Sequence, residues 1–439
     1  MKKISRRSFL TAAAACGAAA ALTACGGSSS STAASTAASG TAASSAASGP
    51  VTLQWAVWDK ESTPYWQAMA DGYMASHSDV TIEMVDLGSS DYMTVLATQL
   101  AGSADLDVLT IKDIPGYANL INLDYLKPMN DVLTRDTGDF NGVIEQLTTD
   151  DGNFYAVPFR SDFWVLYYNK DLFDKAGVEY PSNDLTLEDY DALARKMTSG
   201  SGDGKVYGCH YHTWRSASSL FSILDGKHTI IEGNYDFMKD TYDMVIAQQK
   251  DGICMDYGYL KTSSLHYSAA FENQQCAMVN MGSWFISTLE AYMKDAETKF
   301  NWGIVKYPHP AGAAAGSTLG TVTSLAINAD SPKADAAADF INWCVSEDGA
   351  QAIAKTGTFP ACGSAETSEI IKSTEGFPED TNSVDALTTA NVYLEMPYTQ
   401  YASDIETILN AEHDAIMTMS ETVDEGIQNM NDQVPAVLG

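Results

Sequence analysis

The sequence from Val51 onward alternates between strand-like and helix-like segments, and this order limits what the chain can fold into. Every second residue from Val51 to Val57 is apolar, as on a half-buried strand, and residues 64–76 then follow a helical pattern with Pro64 at its start. Alternation of this kind predicts an α/β fold with a mainly parallel sheet. The same patterns predict strands at 80–87, 106–111, 163–168, 207–212, 276–281, 303–306 and 322–328, and helices at 91–100, from 186, at 235–250, up to 273, at 331–343 and from 384.

Polar residues follow two of these strands directly. Trp58, Asp59 and Lys60 come after the first strand, and Lys112 and Asp113 come after the third. Because ligands of parallel α/β sheets bind beyond the carboxyl ends of the strands, we expect these residues beside a binding crevice. Two simpler interpretations stay open, a salt pair in a surface turn for Asp59 and Lys60, and a helix N-cap for Asp113.

The first 50 residues have the composition of an export signal and a tether. Residues 1–24 combine a basic start with an Ala-rich apolar stretch that is too short for a stable membrane span. Residues 25–50 consist almost entirely of Gly, Ser, Ala and Thr after one cysteine, so we expect a flexible linker. The pair Arg6 and Arg7 is typical of a twin-arginine signal, but paired basic residues are common in leaders, and the export route stays open.

The segment Leu22-Thr23-Ala24-Cys25 resembles the lipobox at which bacterial lipoproteins are cleaved and acylated. The resemblance implies that Cys25 carries acyl chains such as palmitate, and two such chains hold a protein stably to a bilayer. We therefore predict a lipid-anchored protein on the outer face of the cell membrane of a bacterium of the Gram-positive type. The alternative is an ordinary secretory signal with a chance cysteine.

The chain of 439 residues is strongly acidic, with a formal net charge of -32. This balance argues against nucleic acid as a partner, because phosphate binding needs a positive surface. We predict no cofactor and no metal site, since His210 and His212 alternate on a predicted strand without further ligands nearby in the pattern. Wide spacings without a Cys-x-x-Cys motif favour buried free thiols over disulfides, with one bridged pair as the alternative, for Cys209, Cys254, Cys276, Cys344 and Cys362.

Several segments, in order, resemble family 1 extracellular solute-binding proteins, the sugar-capturing subunits of ABC importers. The resemblance is strongest in the run from Leu166 to Phe173 and in the element that joins Ala270-Phe271-Glu272-Asn273 to Gly282-Ser283-Trp284. It spans roughly residues 51–439. The other matching segments are Gly152 to Pro158, Ala326 to Asn328 with the helix after it, and Phe359 to Ala361.

The resemblance implies a periplasmic-binding-protein-like fold of type II, in which two α/β lobes are joined by a hinge that the chain crosses three times. Ligand would bind between the lobes, and the closed form would dock as a monomer on the membrane permease of an ABC transporter. The implied crossings lie near 158–162, 308–320 and 355–362. The implied lobes are 51–160 plus 312–357 for the first, and 161–311 plus 358–439 for the second.

Sugar binding needs flat aromatic surfaces for the C–H face of the ring and charged or amide groups for its hydroxyls. Trp284 is the main aromatic candidate, because the Gly-x-Trp element of the family places an aromatic platform in the cleft. Trp214 and Tyr401 fall where relatives have further platforms. For each of these three residues, packing in the core is the simpler alternative.

Carboxylates are the second group of candidates. The resemblance carries ligand contact over to Asp59, Lys60 and Asp113, and to Asp162 at the first crossing, where Arg160 is a potential partner. Trp58 is included because it precedes this pair. Gly320, which we place just before a strand near the second crossover, would allow the backbone to approach the ligand closely.

We predict a carbohydrate-binding transport protein and not an enzyme. The sequence lacks the Gly-x-Ser-x-Gly, His-Glu-x-x-His and P-loop motifs of common catalytic sites. Three alternatives stay open: the same fold binding a non-sugar solute such as a polyamine, an exported glycosidase that uses two carboxylates, and a structural surface lipoprotein. The sequence does not name the sugar.

Overall fold

The computed structural model describes residues 49–140, 142–297 and 299–439, so the predicted signal, the lipidation site at Cys25 and the tether up to residue 48 lie outside the described part. Eight strands form the sheet framework. They are β1 Val51–Val57, β2 Val80–Asp86, β3 Val108–Ile111, β4 Val157–Asn169, β5 Met278–Gly282, β6 Trp302–Lys306, β7 Ser317–Ile327 and β8 Asn391–Leu394.

Sixteen α-helices surround these strands in the described residues. Several begin at side chains that accept the first free backbone N–H groups, such as Thr186, which accepts from Asp189 as the sequence predicted. The helices are α1 Pro64–Ser76, α2 Tyr92–Ala101, α3 Ile114–Asn122, α4 Val143–Leu147, α5 Lys170–Ala176, α6 Leu187–Met197, α7 Lys239–Lys250, α8 Tyr257–Ser263, α9 Tyr267–Glu272, α10 Trp284–Asp295, α11 Ala334–Cys344, α12 Glu347–Ala354, α13 Ala365–Lys372, α14 Thr381–Ala386, α15 Ala402–Met417 and α16 Val423–Leu438.

The sheet has the order β2-β1-β3-β7-β4-β5, with β6 also paired to β4 and β8 paired to β7. The prediction of mainly parallel pairing is wrong, because among the seven pairs of named strands in the described residues only β1 with β2, β1 with β3 and β7 with β8 are parallel. The strand β7 returns from late in the chain and inserts antiparallel between β3 and β4. A crossover helix between two consecutive strands makes them run parallel, whereas a strand from a distant part of the sequence can pair in either direction.

Strands β4 and β7 are long because each serves two neighbours in succession. The first half of β4 pairs with β7, up to Phe163 opposite Gly320, and the second half from Trp164 pairs with β5 and β6. Continuous strands of this kind connect the two α/β lobes of the fold, which confirms the predicted two-lobed class. The exact lobe boundaries remain a prediction, and α13, which we assigned to the second lobe, packs against α12 of the first.

Other local predictions need correction. Residues 207–212 form isolated bridges at Tyr207 and His210 instead of a strand, and the short strand β8 was not predicted. Gly320 lies within β7, not before a strand. In the described residues, all five cysteines after the tether are buried free thiols, as predicted.

The described part of the chain contains no helix that is both long and apolar enough to cross a bilayer. It also contains no group of three or more His, Cys, Asp or Glu side chains arranged to hold a metal ion.

Candidate functional site

The carboxyl end of β1 leads into a dense aromatic cluster. Trp58 is 8% exposed, and its ring packs edge-on against Trp66 and Tyr92 with centroids 5.0 Å away in both cases. The Lys112 ammonium lies 5.4 Å from the centroid of the Trp58 ring and donates to the carbonyl of Ser89. Trp58 therefore contributes mainly to the core, and it holds the lysine at the strand ends.

Asp59 has left-handed backbone geometry, with φ 44°, which turns the chain away from the end of β1. Its carboxylate acts across the molecule on His266, whose pKa is lowered by burial against the opposing effect of Asp59. Asp59 follows β1 and His266 precedes α9, so residues from two distant segments of the chain influence each other here. The next residue, Lys60, is half-buried, and its backbone N–H donates to Asp86.

Asp113 is the N-cap of α3, where its Oδ1 accepts from the backbone N–H of Gly116 at 2.7 Å. The helix-cap interpretation is thus confirmed, while ligand contact stays a prediction. The Asp113 side chain keeps access to solvent. The protein around it nevertheless removes part of the water from its carboxyl group, and this desolvation raises its pKa. Glu406 on α15 also raises this pKa, and α15 packs against α3.

A buried ion pair lies where β4 passes from one sheet region to the other. Arg160 Nε is 2.9 Å from Asp162 Oδ2, and their side chains are 9% and 0% exposed. Arg160 also donates to the hydroxyl oxygens of Tyr65 and Thr323, both at 2.8 Å. Asp162 accepts from Ser283 Oγ at 2.7 Å. Because Asp162 is sealed in this conformation, its direct contact is with Ser283 and Arg160 and not with solvent.

Trp284 begins α10 and is half-buried, so its ring is not sealed in the core. Its indole N–H donates to the hydroxyl of Tyr267 at 3.1 Å, and its ring meets buried Trp164 edge-on at 5.7 Å. The ring also lies over Gly282, where a Cβ would be only 2.0 Å from it. The Gly-x-Trp element thus has a physical reason, because only glycine leaves room for the indole.

Trp214 stands beside Trp284 and is 41% exposed. The two indole centroids are 6.3 Å apart, and Tyr267 lies 5.8 Å from Trp214. His212 packs edge-on against Trp214 at 4.5 Å and against Tyr267 at 5.3 Å. We call Trp214, Trp284, Tyr267 and His212 the aromatic wall, in which both indoles keep access to solvent.

The histidines near the wall are neutral. Burial lowers the pKa of His210 to about 4 and that of His212 to about 3. His210 is fully buried, and neither of its ring nitrogens has a hydrogen-bond partner among the described residues. Uncharged imidazoles give the wall polar edges without adding positive charge.

Gly320 and Tyr401 are not part of the aromatic wall in the described residues. A Cβ on Gly320 would be 2.5 Å from Val392, so the close approach at this glycine is made by β8 of the chain itself. Tyr401 is half-buried at the start of α15. In the described residues it has no ring contact with Trp214 or Trp284, and the ligand roles of both residues remain predictions.

Sequence reasoning missed three residues that the structure brings to this region. Tyr65 accepts a hydrogen bond from the guanidinium of Arg160, and Tyr267 accepts one from the indole of Trp284. Neither tyrosine lies in a segment that was singled out for ligand contact. Glu395 accepts from Trp164 Nε1 at 2.8 Å and from Thr321 at 3.0 Å. Burial raises the pKa of Glu395 to about 7. The only available signal was the position of Glu395 just after a short β-branched and aromatic stretch.

Two α/β lobes that are connected by long shared strands have the architecture of a solute-binding protein. Comparison with known families agrees with it. The sequence profile of the bacterial extracellular solute-binding proteins matches residues 59–351, which is more than half of the chain. The chain therefore belongs to this family. A second profile, of twin-arginine translocation pathway signal sequences, matches residues 3–23.

Individual relatives cover nearly the whole folded part. A solved sugar transporter from Rhizobium etli, in an open conformation, is 47% identical with a TM-score of 0.76, over 88% of this chain and 99% of the other. An ABC substrate-binding protein from Listeria monocytogenes in complex with cycloalternan shares the fold, with a TM-score of 0.75 at 20% identity over 89% and 99% of the two chains. The sn-glycerol-3-phosphate-binding periplasmic protein of Pectobacterium atrosepticum is 24% identical over 85% of this chain and 90% of the other.

Proposed function

We propose that this protein captures a carbohydrate outside the cell and delivers it to the permease of an ABC transporter. The observation that carries the proposal is the accessible indole of Trp284, held over Gly282 and oriented by Tyr267 beside the exposed Trp214. Such a surface matches the apolar face of a sugar ring, and a fixed aromatic side chain loses little entropy on binding. The sugar transporter at 47% identity supports the same ligand class.

The polar groups around the wall suit the hydroxyls of a sugar. Asp59 and Asp113 lie at strand ends of the first lobe, and Glu395 and Glu406 belong to the C-terminal part. Hydrogen bonds between hydroxyls and charged groups contribute about 1.5–3 kcal/mol each. A ligand that contacts both lobes would favour the closed state, and the shared strands β4 and β7 provide the connection about which the lobes close.

Membrane attachment is part of the proposal. Cys25 follows the segment that matches the twin-arginine signal, and we infer that it is acylated after cleavage and anchors the protein to the outer face of the cell membrane. The linker up to residue 50 then lets the folded part reach the permease as a monomer. In this role the protein binds and releases its solute without chemical change.

Isothermal titration calorimetry tests the ligand class directly. The folded part, residues 49–439, would be titrated with neutral mono-, di- and oligosaccharides and, separately, with spermidine. We expect saturable binding of at least one carbohydrate, accompanied by a change in tryptophan fluorescence, because two indoles line the wall. Saturation by spermidine with no response to any carbohydrate would contradict the proposal and favour a polyamine binder.

A further inference from the structure

We infer that the site selects an uncharged carbohydrate and rejects phosphorylated and carboxylated ones. This inference rests on the proposed function and adds the charge of the ligand. Relatives differ in this respect, because some are named as sn-glycerol-3-phosphate-binding proteins. It follows from a common feature of the positive groups around the site. Both arginines at the site are already paired with carboxylates of the protein.

Arg160 is the first of these groups. Its guanidinium is in an ion pair with Asp162, and its two Nη atoms donate to Tyr65 and Thr323. Each of the three guanidinium nitrogens therefore already lies beside an oxygen of the protein. An incoming anion would have to displace Asp162, which would leave a buried carboxylate without its partner.

Arg215, which follows Trp214 in the wall, is neutralised in the same way. Its Nη2 donates to Glu406, and its Nε donates to Asn410 at 3.2 Å. The remaining Nη1 atom is buried and has no hydrogen-bond partner in the described residues. A neutral oxygen is enough to satisfy that N–H, whereas a second anion would lie close to Glu406 and be repelled.

Two helix N-termini at the site also carry carboxylates. Free N–H groups and the helix dipole make such ends natural anion sites. At α3 the end is capped by Asp113. At α10 the N-cap Ser283 donates its hydroxyl to Asp162, which places that carboxylate at the first turn, just before Trp284. The cap position of α3 is thus filled, and at α10 a carboxylate already lies beside the N-cap residue.

The two lysines at the strand ends do not reverse this balance. Burial and the charge of Arg160 lower the pKa of Lys112, while the carboxylates of Asp113, Asp59 and Asp91 oppose that shift. The Lys112 ammonium donates to the carbonyl of Ser89, and the acidic groups that act on it outnumber the basic one. Lys60 stands between Asp59 and Glu61 in the sequence, so its segment has a net negative charge.

The predicted consequence is discrimination by repulsion as well as by fit. A phosphate or carboxylate on the ligand would enter a region where acidic groups outnumber basic ones, and it would lose its hydration without gaining an unpaired guanidinium. Hydroxyl groups, in contrast, can donate to Asp59, Asp113, Glu395 and Glu406. A neutral ligand therefore matches the site and an anionic one does not.

Calorimetry with matched pairs tests the inference in the folded part of the protein. Each pair differs by one charged group: glucose and glucose 6-phosphate, galactose and galacturonate, glycerol and sn-glycerol 3-phosphate, and the tightest neutral oligosaccharide with its uronic-acid counterpart. We expect the charged member to bind at least about 100-fold more weakly than its neutral partner. If a charged sugar binds as tightly as its partner or more tightly, the inference is overturned while carbohydrate capture stands. Binding of sn-glycerol 3-phosphate alone would overturn both.

A second measurement does not depend on knowing the sugar. The variant Glu406→Gln leaves Arg215 without its carboxylate. Because Glu406 is only partly buried, this variant should fold. We expect Glu406→Gln to be stabilised against heat by inorganic phosphate at constant ionic strength, whereas the wild type is not. Stabilisation of the wild type by phosphate, or no gain in Glu406→Gln, would overturn the inference.

Discussion

The indole of Trp284 covers the Cα of Gly282 so closely that a Cβ built on the glycine would be 2.0 Å from ring carbon Cζ3. Two residues of one short motif therefore fix the position of the main aromatic surface. The glycine before the tryptophan is therefore needed for the position of the indole, and a substitution of Gly282 tests this directly.

Gly282→Ala should weaken carbohydrate binding by about 10-fold or more, because the added methyl group forces the indole out of its place. The measurement is calorimetric titration with the tightest neutral sugar. Gly204→Ala is the matched control, since a Cβ there has no atom within 4 Å and the glycine has an ordinary φ. Unchanged affinity in Gly282→Ala would show that this position of the ring is not needed.

Truncation of the wall itself should have a larger effect. We expect Trp284→Ala to lose about 100-fold in affinity, as central aromatic anchors commonly do, and Trp214→Ala to lose less because that ring is more exposed. Both values come from the same titration. Tyr259→Ala serves as the control, because Tyr259 is 54% exposed and is not among the ring contacts of the wall in the described residues. Equal affinities in all three variants would place the ligand elsewhere.

The buried pair of Arg160 and Asp162 should matter for stability. Asp162→Asn leaves the guanidinium buried without a counter-charge and should lower the free energy of unfolding by about 3–5 kcal/mol, measured by denaturant titration. The exposed pair of Arg195 and Asp251, at 2.7 Å, offers a contrast. Asp251→Asn should cost no more than about 1 kcal/mol. Similar losses in both variants would contradict a special role for the buried pair.

Glu395 should make stability fall as the pH rises towards neutrality. Burial raises its pKa from an ordinary value of 4.5 to about 7, so with rising pH the unfolded chain loses this proton before the folded chain does. The folded state is therefore penalised between these two values, and the penalty is complete above the higher one. Glu395→Gln removes the titration.

The test compares the free energy of unfolding of wild type and Glu395→Gln at pH 5 and pH 8. We expect the wild type to lose more stability than the variant between the two pH values. Parallel curves would show that Glu395 keeps an ordinary pKa in the folded protein.

Local patterns predicted most of the first lobe well. The helix Pro64–Ser76 and the strands β1 and β2 were predicted to within one residue, because their periodicity and the proline at the helix start are local signals. The antiparallel insertion of β7 was not predictable in this way. Its pairing of Ile327 with Val108 joins residues more than two hundred positions apart, and periodicity contains no information on such a partner.

The site was predicted unevenly for a similar reason. Trp284 was recognised through its short motif, and the position of its ring is set by the neighbouring Gly282. Tyr267, Glu395 and the neutralising role of Asp162 depend on contacts that only the folded chain creates. For Gly320 the sequence predicted a close approach of the ligand to the backbone. In the structure the missing side chain instead leaves room for Val392.

A crystal structure of residues 49–439 with the tightest-binding sugar is the most direct test of the central claim. We predict a sugar ring stacked on the indole of Trp284, between the two lobes, with its hydroxyls in contact with carboxylates of both. Density for the sugar at a distance from Trp284 and Trp214, or bound to one lobe only, would contradict the account.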